Sequence, residues 1–229
     1  MAGQELFYRQ PAPKDDNRPY LIGVVGGAIV PLYGRCIMRK SIFFLYGVFA
    51  YALFLVAFLY AIGFVGNLGV PKSIDSGTPA PLAEALVVNL LLLSVFAVQH
   101  SVMARPGFKQ AWTRIVPVPA ERSVYVLLAS LALIILFYGW RPIPAVVWDL
   151  TGTPFALPLW ALFFAGWLIV LLSTFLINHF ELFGLQQAWF NLRGRTAAAP
   201  QLRQPFFYRW VAHPLYSGFF LAVWATPLM

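Results

Sequence analysis

Long apolar stretches dominate the chain and are separated by short groups of charged residues. They lack the alternation of apolar and polar positions typical of a β-strand, and four are close to or above the roughly 20 residues that a helix needs to cross a bilayer. The five stretches are residues 42–65, the intervals between Glu84 and Arg105, between Arg122 and Arg141 and between Asp149 and Glu181, and a last one over residues 210–229. The pattern predicts an all-α, polytopic membrane helix bundle with about five transmembrane helices.

The first 37 residues differ in pattern from the rest. Residues 1–18 are polar and contain prolines, and residues 20–34 are apolar but short and rich in glycine. We expect residues 1–37 to be either a disordered cytoplasmic tail or a stretch upstream of the native start, with no function of their own. The membrane domain is predicted over residues 38–229, because Met38, Arg39 and Lys40 directly precede the first apolar run.

The composition agrees with a membrane protein and excludes several soluble classes. Of 229 residues, 60% are apolar and 10% are charged, whereas about a quarter of a soluble domain is charged. The net charge is +8, but the basic residues are spread along the chain, so nucleic acid is not an expected partner. The single cysteine, Cys36, excludes an internal disulfide and a thiolate metal cage.

Lysine and arginine predict the orientation in the membrane. With five spans, two basic residues, Lys72 and Arg141, fall on one side and fourteen on the other. The fourteen are Arg9, Lys14, Arg18, Arg35, Arg39, Lys40, Arg105, Lys109, Arg114, Arg122, Arg193, Arg195, Arg203 and Arg209. The positive-inside rule therefore predicts a cytoplasmic N-terminus, in a multi-pass protein of the bacterial inner membrane. Trp140, Trp148 and Trp160 flank the outer loop, where aromatic rings favour the headgroup level.

All three histidines fall at predicted cytoplasmic ends of spans. His100 lies near the end of the second, His179 near the end of the fourth, and His213 at the start of the fifth. A single histidine at a helix end is more often an interfacial or capping residue than a catalyst. None is spaced three or four residues from another, so we do not expect a metal site.

Polar residues form two helical stripes near these histidines. Asn89 and His100 are eleven residues apart, which returns to nearly the same helix face, and Thr174, Asn178 and Glu181 follow one another at intervals of four and three. Polar groups in a bilayer are costly unless they are paired or face a cavity. We expect the two stripes to line one cavity that opens to the cytoplasm.

The most specific local pattern is a histidine followed by a proline at the start of the fifth span. Pro214 disfavours helix at His213 and suits the first turn of the next helix, so the histidine and the free N–H groups can face one ligand. Such a helix start favours a carboxylate. Gly218 permits close approach of a ligand or of another helix. The alternative is a helix-start proline with a glycine that serves packing alone.

Four separated motifs resemble integral-membrane methyltransferases of the isoprenylcysteine carboxyl methyltransferase type, and among them the methanethiol S-methyltransferases. One is the element Arg209, His213, Pro214, Tyr216 and Gly218; the others are segments 99–106, 121–127 and 178–187. The likeness runs from about residue 38 to residue 229.

The resemblance implies S-adenosylmethionine as cofactor and a small thiol as substrate, with methanethiol converted to dimethyl sulfide. It assigns the cofactor to Arg209, His213, Pro214, Tyr216 and Gly218. His100 and His179 are the candidate catalytic bases, and the residues expected to line the substrate or cofactor cavity are Gln99, Ser101, Asn178 and Glu181. Relatives of this kind continue past the fifth helix, so we also expect a chain shortened at its C-terminus and less active for it.

Other functions are compatible with the pattern. A membrane methyltransferase acting on a lipid or a prenylcysteine carboxylate needs a lateral opening between helices, which the sequence does not exclude. The histidines also fit a non-catalytic assembly factor that handles haem or a metal. A transporter is disfavoured, because neither an internal repeat nor charges at the middle of the spans are present.

Overall fold

The computed structural model describes residues 22–25, 28–195 and 213–229, with side chains from residue 37 onward. Within them, a short antiparallel hairpin of β1 and β2 is followed by eight helices. The elements are β1 Ile22–Val25, β2 Ala28–Pro31, α1 Leu32–Gly66, α2 Leu82–Met103, α3 Pro106–Trp112, α4 Val118–Gly139, α5 Ala156–Ile177, α6 His179–Leu182, α7 Leu185–Leu192 and α8 Pro214–Trp224. Arg209 and residues 1–21 of the predicted extension lie outside the described residues.

Four helices, α1, α2, α4 and α5, are long and apolar enough to cross a membrane. They coincide with the four complete spans expected from the sequence, so the helical bundle is confirmed. The strands of the hairpin were not predicted; they fall in the glycine-rich part of the N-terminal extension. Helix α1 also begins ten residues before the expected apolar body, because its first turns continue through the basic residues Arg39 and Lys40, which are compatible with helix.

The fifth predicted span is shorter than expected. Helix α8 has 11 residues, which at 1.5 Å per residue makes it about 16 Å long. The prediction of one apolar helix through residue 229 is wrong over its last five residues, because Thr226 precedes Pro227 and such a position disfavours helix. The chain instead runs extended and pairs with the loop between α4 and α5, where Leu150 N donates to Pro227 O at 2.8 Å.

Helix α1 lies between two groups of helices. On one side it packs against α4, which in turn contacts α2, and Phe64, Leu136 and Phe137 form the buried cluster there. On the other side Phe58 of α1 contacts Trp167 of the tightly packed pair α5 and α8. Helix α7 lies across the N-terminal part of α1 and the start of α4.

Small residues allow α5 and α8 to approach closely. A methyl group on Gly218 would lie 2.8 Å from the carbonyl oxygen of Gly166 and 2.9 Å from the backbone nitrogen of Val170. A methyl group on Gly166 would lie 2.5 Å from the backbone nitrogen of Ala222. Gly218 and Ala222 are four residues apart, the small-residue spacing that membrane helices use for close contact.

Asn89 belongs to the end of the bundle opposite His100. Its buried side chain donates to the carbonyl oxygen of Arg141 and accepts from the Arg141 N–H, both at 2.8 Å. Eleven residues of helix separate Asn89 from His100 by about 16 Å along the axis. The expectation that these two residues line one cavity is therefore wrong: they share a helix face but not a depth.

Candidate active site

The three histidines lie at the same end of the described bundle. His100 is in the last turn of α2, His179 is the first residue of α6, and His213 immediately precedes α8. Two of them contact a tyrosine from a neighbouring long helix, and the third stands next to one on its own helix. Their surroundings differ, and these differences separate their chemical possibilities.

His100 is accessible and is paired with a buried tyrosine. The hydroxyl of Tyr125, in α4, lies 2.9 Å from Nδ1 of His100 and 3.2 Å from Nε2. The Tyr125 side chain is only 6% exposed, whereas His100 is exposed. Phe96 stacks on the imidazole with 5.4 Å between ring centroids. A base held on two sides and open on another is suited to exchange a proton with a small ligand or with water.

An arginine stands beside this pair. The Arg122 guanidinium lies 4.7 Å above the ring of Tyr125, and its Nε donates to the carbonyl oxygen of Leu182 at 2.7 Å. The Tyr125 side chain thus contacts both this guanidinium and His100. The pair therefore sits in an environment that favours an anion.

His179 is closed off from such exchange. It is 4% exposed. The Thr174 hydroxyl lies 2.8 Å from its Nδ1, and the Tyr51 hydroxyl lies 2.9 Å from its Nε2. Since the Thr174 hydroxyl donates to the Leu171 carbonyl, it must accept from Nδ1–H, which leaves Nε2 to accept from the Tyr51 hydroxyl. Burial lowers the pKa of His179, so the neutral ring is favoured.

The second predicted stripe is divided by the end of helix α5. The helix ends at Ile177, and the extended backbone of Asn178 starts the next turn. The Asn178 amide donates to the Glu181 carboxylate at 2.7 Å and to Gln186 at 3.2 Å, while Thr174 turns to His179. The continuous stripe from Thr174 to Glu181 is therefore not present, and Asn178 and Glu181 are bonded to each other.

The remaining cavity residues flank His100. Gln99 donates from its amide nitrogen to the sulfur of Met103 at 3.2 Å, and its Oε1 is buried without a hydrogen-bond partner among the described residues. Ser101 is exposed. The Trp112 indole nitrogen, packed against the same Met103, is also buried without a partner there. Both atoms are fully enclosed and have no hydrogen-bond partner among the described residues.

The start of α8 has the predicted geometry. Pro214 is the first helical residue, His213 caps the helix without a side-chain hydrogen bond, and the rings of His213 and Tyr216 meet edge to face at 5.5 Å. Both rings are exposed, whereas Pro214 and Gly218 are buried. The structure thus gives Gly218 a packing contact with α5; a role for it in cofactor binding stays a prediction.

The start of α8 packs against α5, where Gly218 meets Gly166 and Val170. Among the described residues, no cluster of three or more His, Cys, Asp or Glu side chains could hold a metal ion. The elements that meet around His100 are the end of α2 and the start of α4.

Sequence reasoning missed the partners of the histidines. Tyr51, Tyr125 and Arg122 were not among the predicted site residues, although 121–127 was one of the four motifs. The available signal was the position of Tyr125 three residues after Arg122, which places both on one face of α4. Nothing in the sequence indicated that Tyr51 would reach His179, 128 residues away.

Comparisons with known proteins identify the family. The methanethiol S-methyltransferase of Mycobacterium tuberculosis is 54% identical to this chain over 84% of the chain and 79% of its own length. Methanethiol S-methyltransferase 1 of Bradyrhizobium diazoefficiens is 54% identical over 83% and 67%. The chain belongs to the methanethiol S-methyltransferase family. Its members are thiol S-methyltransferases, enzymes whose reaction requires a methyl donor.

The chain also has a more distant relative, Nurim of Xenopus laevis. It is 27% identical to this chain over 62% of the chain and 52% of its own length. No family model and no solved structure matches the chain. The family assignment therefore rests on whole-chain similarity, in agreement with the resemblance seen in the motifs.

Proposed function

We propose that this protein transfers the methyl group of S-adenosylmethionine to methanethiol, which yields dimethyl sulfide and S-adenosylhomocysteine. Family membership supports the thiol methyltransferase reaction. The observation that carries the site is the accessible His100, with Tyr125 and Arg122 beside it. This arrangement supplies a base and a positive charge for a thiol, at the end of the bundle where α8 also begins with a helix start suited to an anionic group.

The start of α8 fits the methyl donor. The first N–H groups of a helix have no partner within it and favour a carboxylate, which S-adenosylmethionine carries. The exposed rings of His213 and Tyr216 offer faces for an adenine or a sulfonium. When bound, S-adenosylmethionine supplies a methyl group on a positively charged sulfur that leaves as a neutral thioether. Arg209 and Gly218 remain predicted members of this site.

The chain's own task is to ionise the thiol and to align its sulfur. The S–H bond of methanethiol breaks and its proton passes to His100. The thiolate sulfur would then form a bond to the methyl carbon, while the bond from that carbon to the donor's sulfur breaks and its electron pair stays on that sulfur. Alignment of reacting atoms is worth up to about 7–11 kcal/mol in favourable cases. The geometry favours His100 over His179 for the base, since both nitrogens of His179 are occupied.

The proposed location is the bacterial inner membrane with this end of the bundle facing the cytoplasm. S-adenosylmethionine is made in the cytosol, and all the residues proposed to contact it lie on the predicted cytoplasmic side. The charge asymmetry between the loops supports the same orientation independently.

A headspace measurement tests the proposal. Cells that express the chain and are fed methanethiol should release dimethyl sulfide, which gas chromatography detects, whereas cells carrying an empty vector should not. The protein must be present in the membrane fraction in equal amounts in every comparison. Radiolabelled methyl groups recovered in lipid or prenylated peptide, with no volatile product, would instead favour the alternative acceptors.

A further inference from the structure

Two tyrosine–histidine contacts of equal length occur at the same end of the molecule with opposite surroundings. Each joins a tyrosine hydroxyl to an imidazole nitrogen at 2.9 Å. In one, the histidine is buried and both nitrogens are bonded; in the other, the tyrosine is buried and the histidine is exposed. Only the second leaves the imidazole open to an incoming molecule.

We propose that Tyr125 and Arg122 are positioning residues that prepare His100 to ionise the thiol, and that the Tyr51–His179 contact is structural. The proposal rests on the thiol methyltransferase function given above and deepens it.

Tyr125 acts on the position of the imidazole. A histidine in the last turn of a helix is free to change its side-chain rotamer, but the Tyr125 hydroxyl bonds it from α4 while Phe96 covers one face. Because Tyr125 is itself packed between Met103 and Val126, its hydroxyl is held fixed. The imidazole is thereby kept in the orientation that it needs when the thiol arrives.

Arg122 acts on the charges that appear when the proton moves. A guanidinium stabilises the thiolate that forms when the proton moves to His100. The exposed imidazole then passes that proton to water. The hydrogen bond from Arg122 to the Leu182 carbonyl fixes the guanidinium above Tyr125. The S–H bond is broken at His100, and no oxidant or further reactant is needed.

His179 joins three elements and takes no part in the proton transfer. Through Tyr51 it contacts α1, through Thr174 it contacts α5, and it begins α6 itself. Phe175 stacks on its ring with centroids 4.1 Å apart. Tyr51→Phe is therefore a matched control for Tyr125→Phe, because each variant loses one hydroxyl bonded to one histidine.

The test compares acceptors of different acidity with the purified full chain in lipid nanodiscs. Hydrogen sulfide is more acidic than methanethiol and fits wherever methanethiol fits, so it needs less help to ionise. Formation of S-adenosylhomocysteine gives kcat/KM for both acceptors. Tyr125→Phe should lower the rate with methanethiol about tenfold, the equivalent of one hydrogen bond, and the rate with hydrogen sulfide much less. Arg122→Gln should behave alike, and Arg122→Lys should restore part of the rate.

The control and the binding data separate the outcomes. Tyr51→Phe should lower thermal stability and leave the ratio of the two rates unchanged, and calorimetry should find unchanged S-adenosylmethionine affinity in the Tyr125 and Arg122 variants. An equal loss with both acceptors in Tyr125→Phe, or an acidity-dependent loss in Tyr51→Phe, overturns the inference. Absence of S-adenosylhomocysteine formation with either thiol in the unaltered protein overturns the proposed function instead.

Discussion

At the scale of single residues, burial and the number of hydrogen-bonding partners separate two histidines that look alike in the sequence. His100 and His179 both follow a long apolar run, and both contact a tyrosine in the structure. Thr174 makes the difference, because its hydroxyl takes the second nitrogen of His179. Both nitrogens of the exposed His100 lie near the single Tyr125 hydroxyl, with no second partner among the described residues, and the ring remains open to a ligand.

Replacing His100 by alanine should remove the base without weakening the binding of the methyl donor. We expect kcat for methanethiol to fall by about 100-fold, the lower part of the range for general base catalysis, while S-adenosylmethionine affinity changes little. Headspace dimethyl sulfide and titration calorimetry measure the two effects. Unchanged turnover in His100→Ala would remove His100 from the mechanism.

Replacing His179 should change how stability depends on pH. Burial lowers the folded-state pKa of His179 below the unfolded value of about 6.5. The unfolded chain therefore binds more protons than the folded one below that pH, and the stability from the neutral ring is lost as the pH falls through the lowered value. The unfolding midpoint of the unaltered protein should drop more between pH 7 and pH 5 than that of His179→Asn. Parallel profiles of the two proteins would contradict this role.

The residues that the sequence did not predict are those whose role depends on a distant partner. His100, His179 and His213 were predicted because a titratable side chain in an apolar chain is conspicuous. Tyr51 and Tyr125 were not, because an uncharged tyrosine within an apolar helix is not conspicuous. Their partners lie 128 and 25 residues away, and periodicity within one helix carries no information on such contacts.

At the scale of elements, apolar length predicted the helices well and helix ends less well. The bodies of α1, α2, α4 and α5 follow directly from the intervals between charges. The ends are decided by local chemistry. Pro227 prevents α8 from continuing, and the extended backbone of Asn178 ends α5 at Ile177. The short α6 and α7 were not predicted, since neither is long enough to give a clear period.

The contact between α5 and α8 should not tolerate a side chain at Gly218. In Gly218→Ala the new methyl group would meet backbone atoms of Gly166 and Val170 at 2.8 and 2.9 Å, and we expect a loss of about 1–3 kcal/mol. Gly107→Ala is the control, since a methyl group there has no atom within 4 Å. In Gly218→Ala, the stability against unfolding in detergent and the affinity for S-adenosylmethionine should both fall. Equal stability of the two variants would contradict the close contact.

At the scale of the whole molecule, the structure supports the arrangement from which orientation was predicted. The N-terminal part of α1 contacts α7, where Phe44 and Trp189 lie 5.6 Å apart, so the basic segments at the start of α1 and after α7 share one end. The opposite end carries Lys72 and Arg141. The charge asymmetry between loops is thus an asymmetry between the two ends of the bundle.

Reporter fusions should reveal which end faces the cytoplasm. Alkaline phosphatase is active only outside the cytoplasm, so fusion after Arg195 should be inactive and fusion after Gly152, in the loop between α4 and α5, should be active. Fluorescent protein fusions at the same positions should give the reverse pattern. An active phosphatase at Arg195 would show that the predicted orientation is wrong. The proposed donor site would then face away from the cytosol, where S-adenosylmethionine is made.

The limited length of α8 makes bilayer thickness a variable for this enzyme. Its roughly 16 Å of helix is followed by an extended segment whose backbone is bonded to the loop between α4 and α5. We therefore expect the apolar band along α8 to be narrower than that along α1, so that lipids beside it shorten or tilt to match it. A thick bilayer would strain the flank on which the proposed donor site begins. Acyl-chain length should therefore modulate turnover without any lipid acting as a ligand.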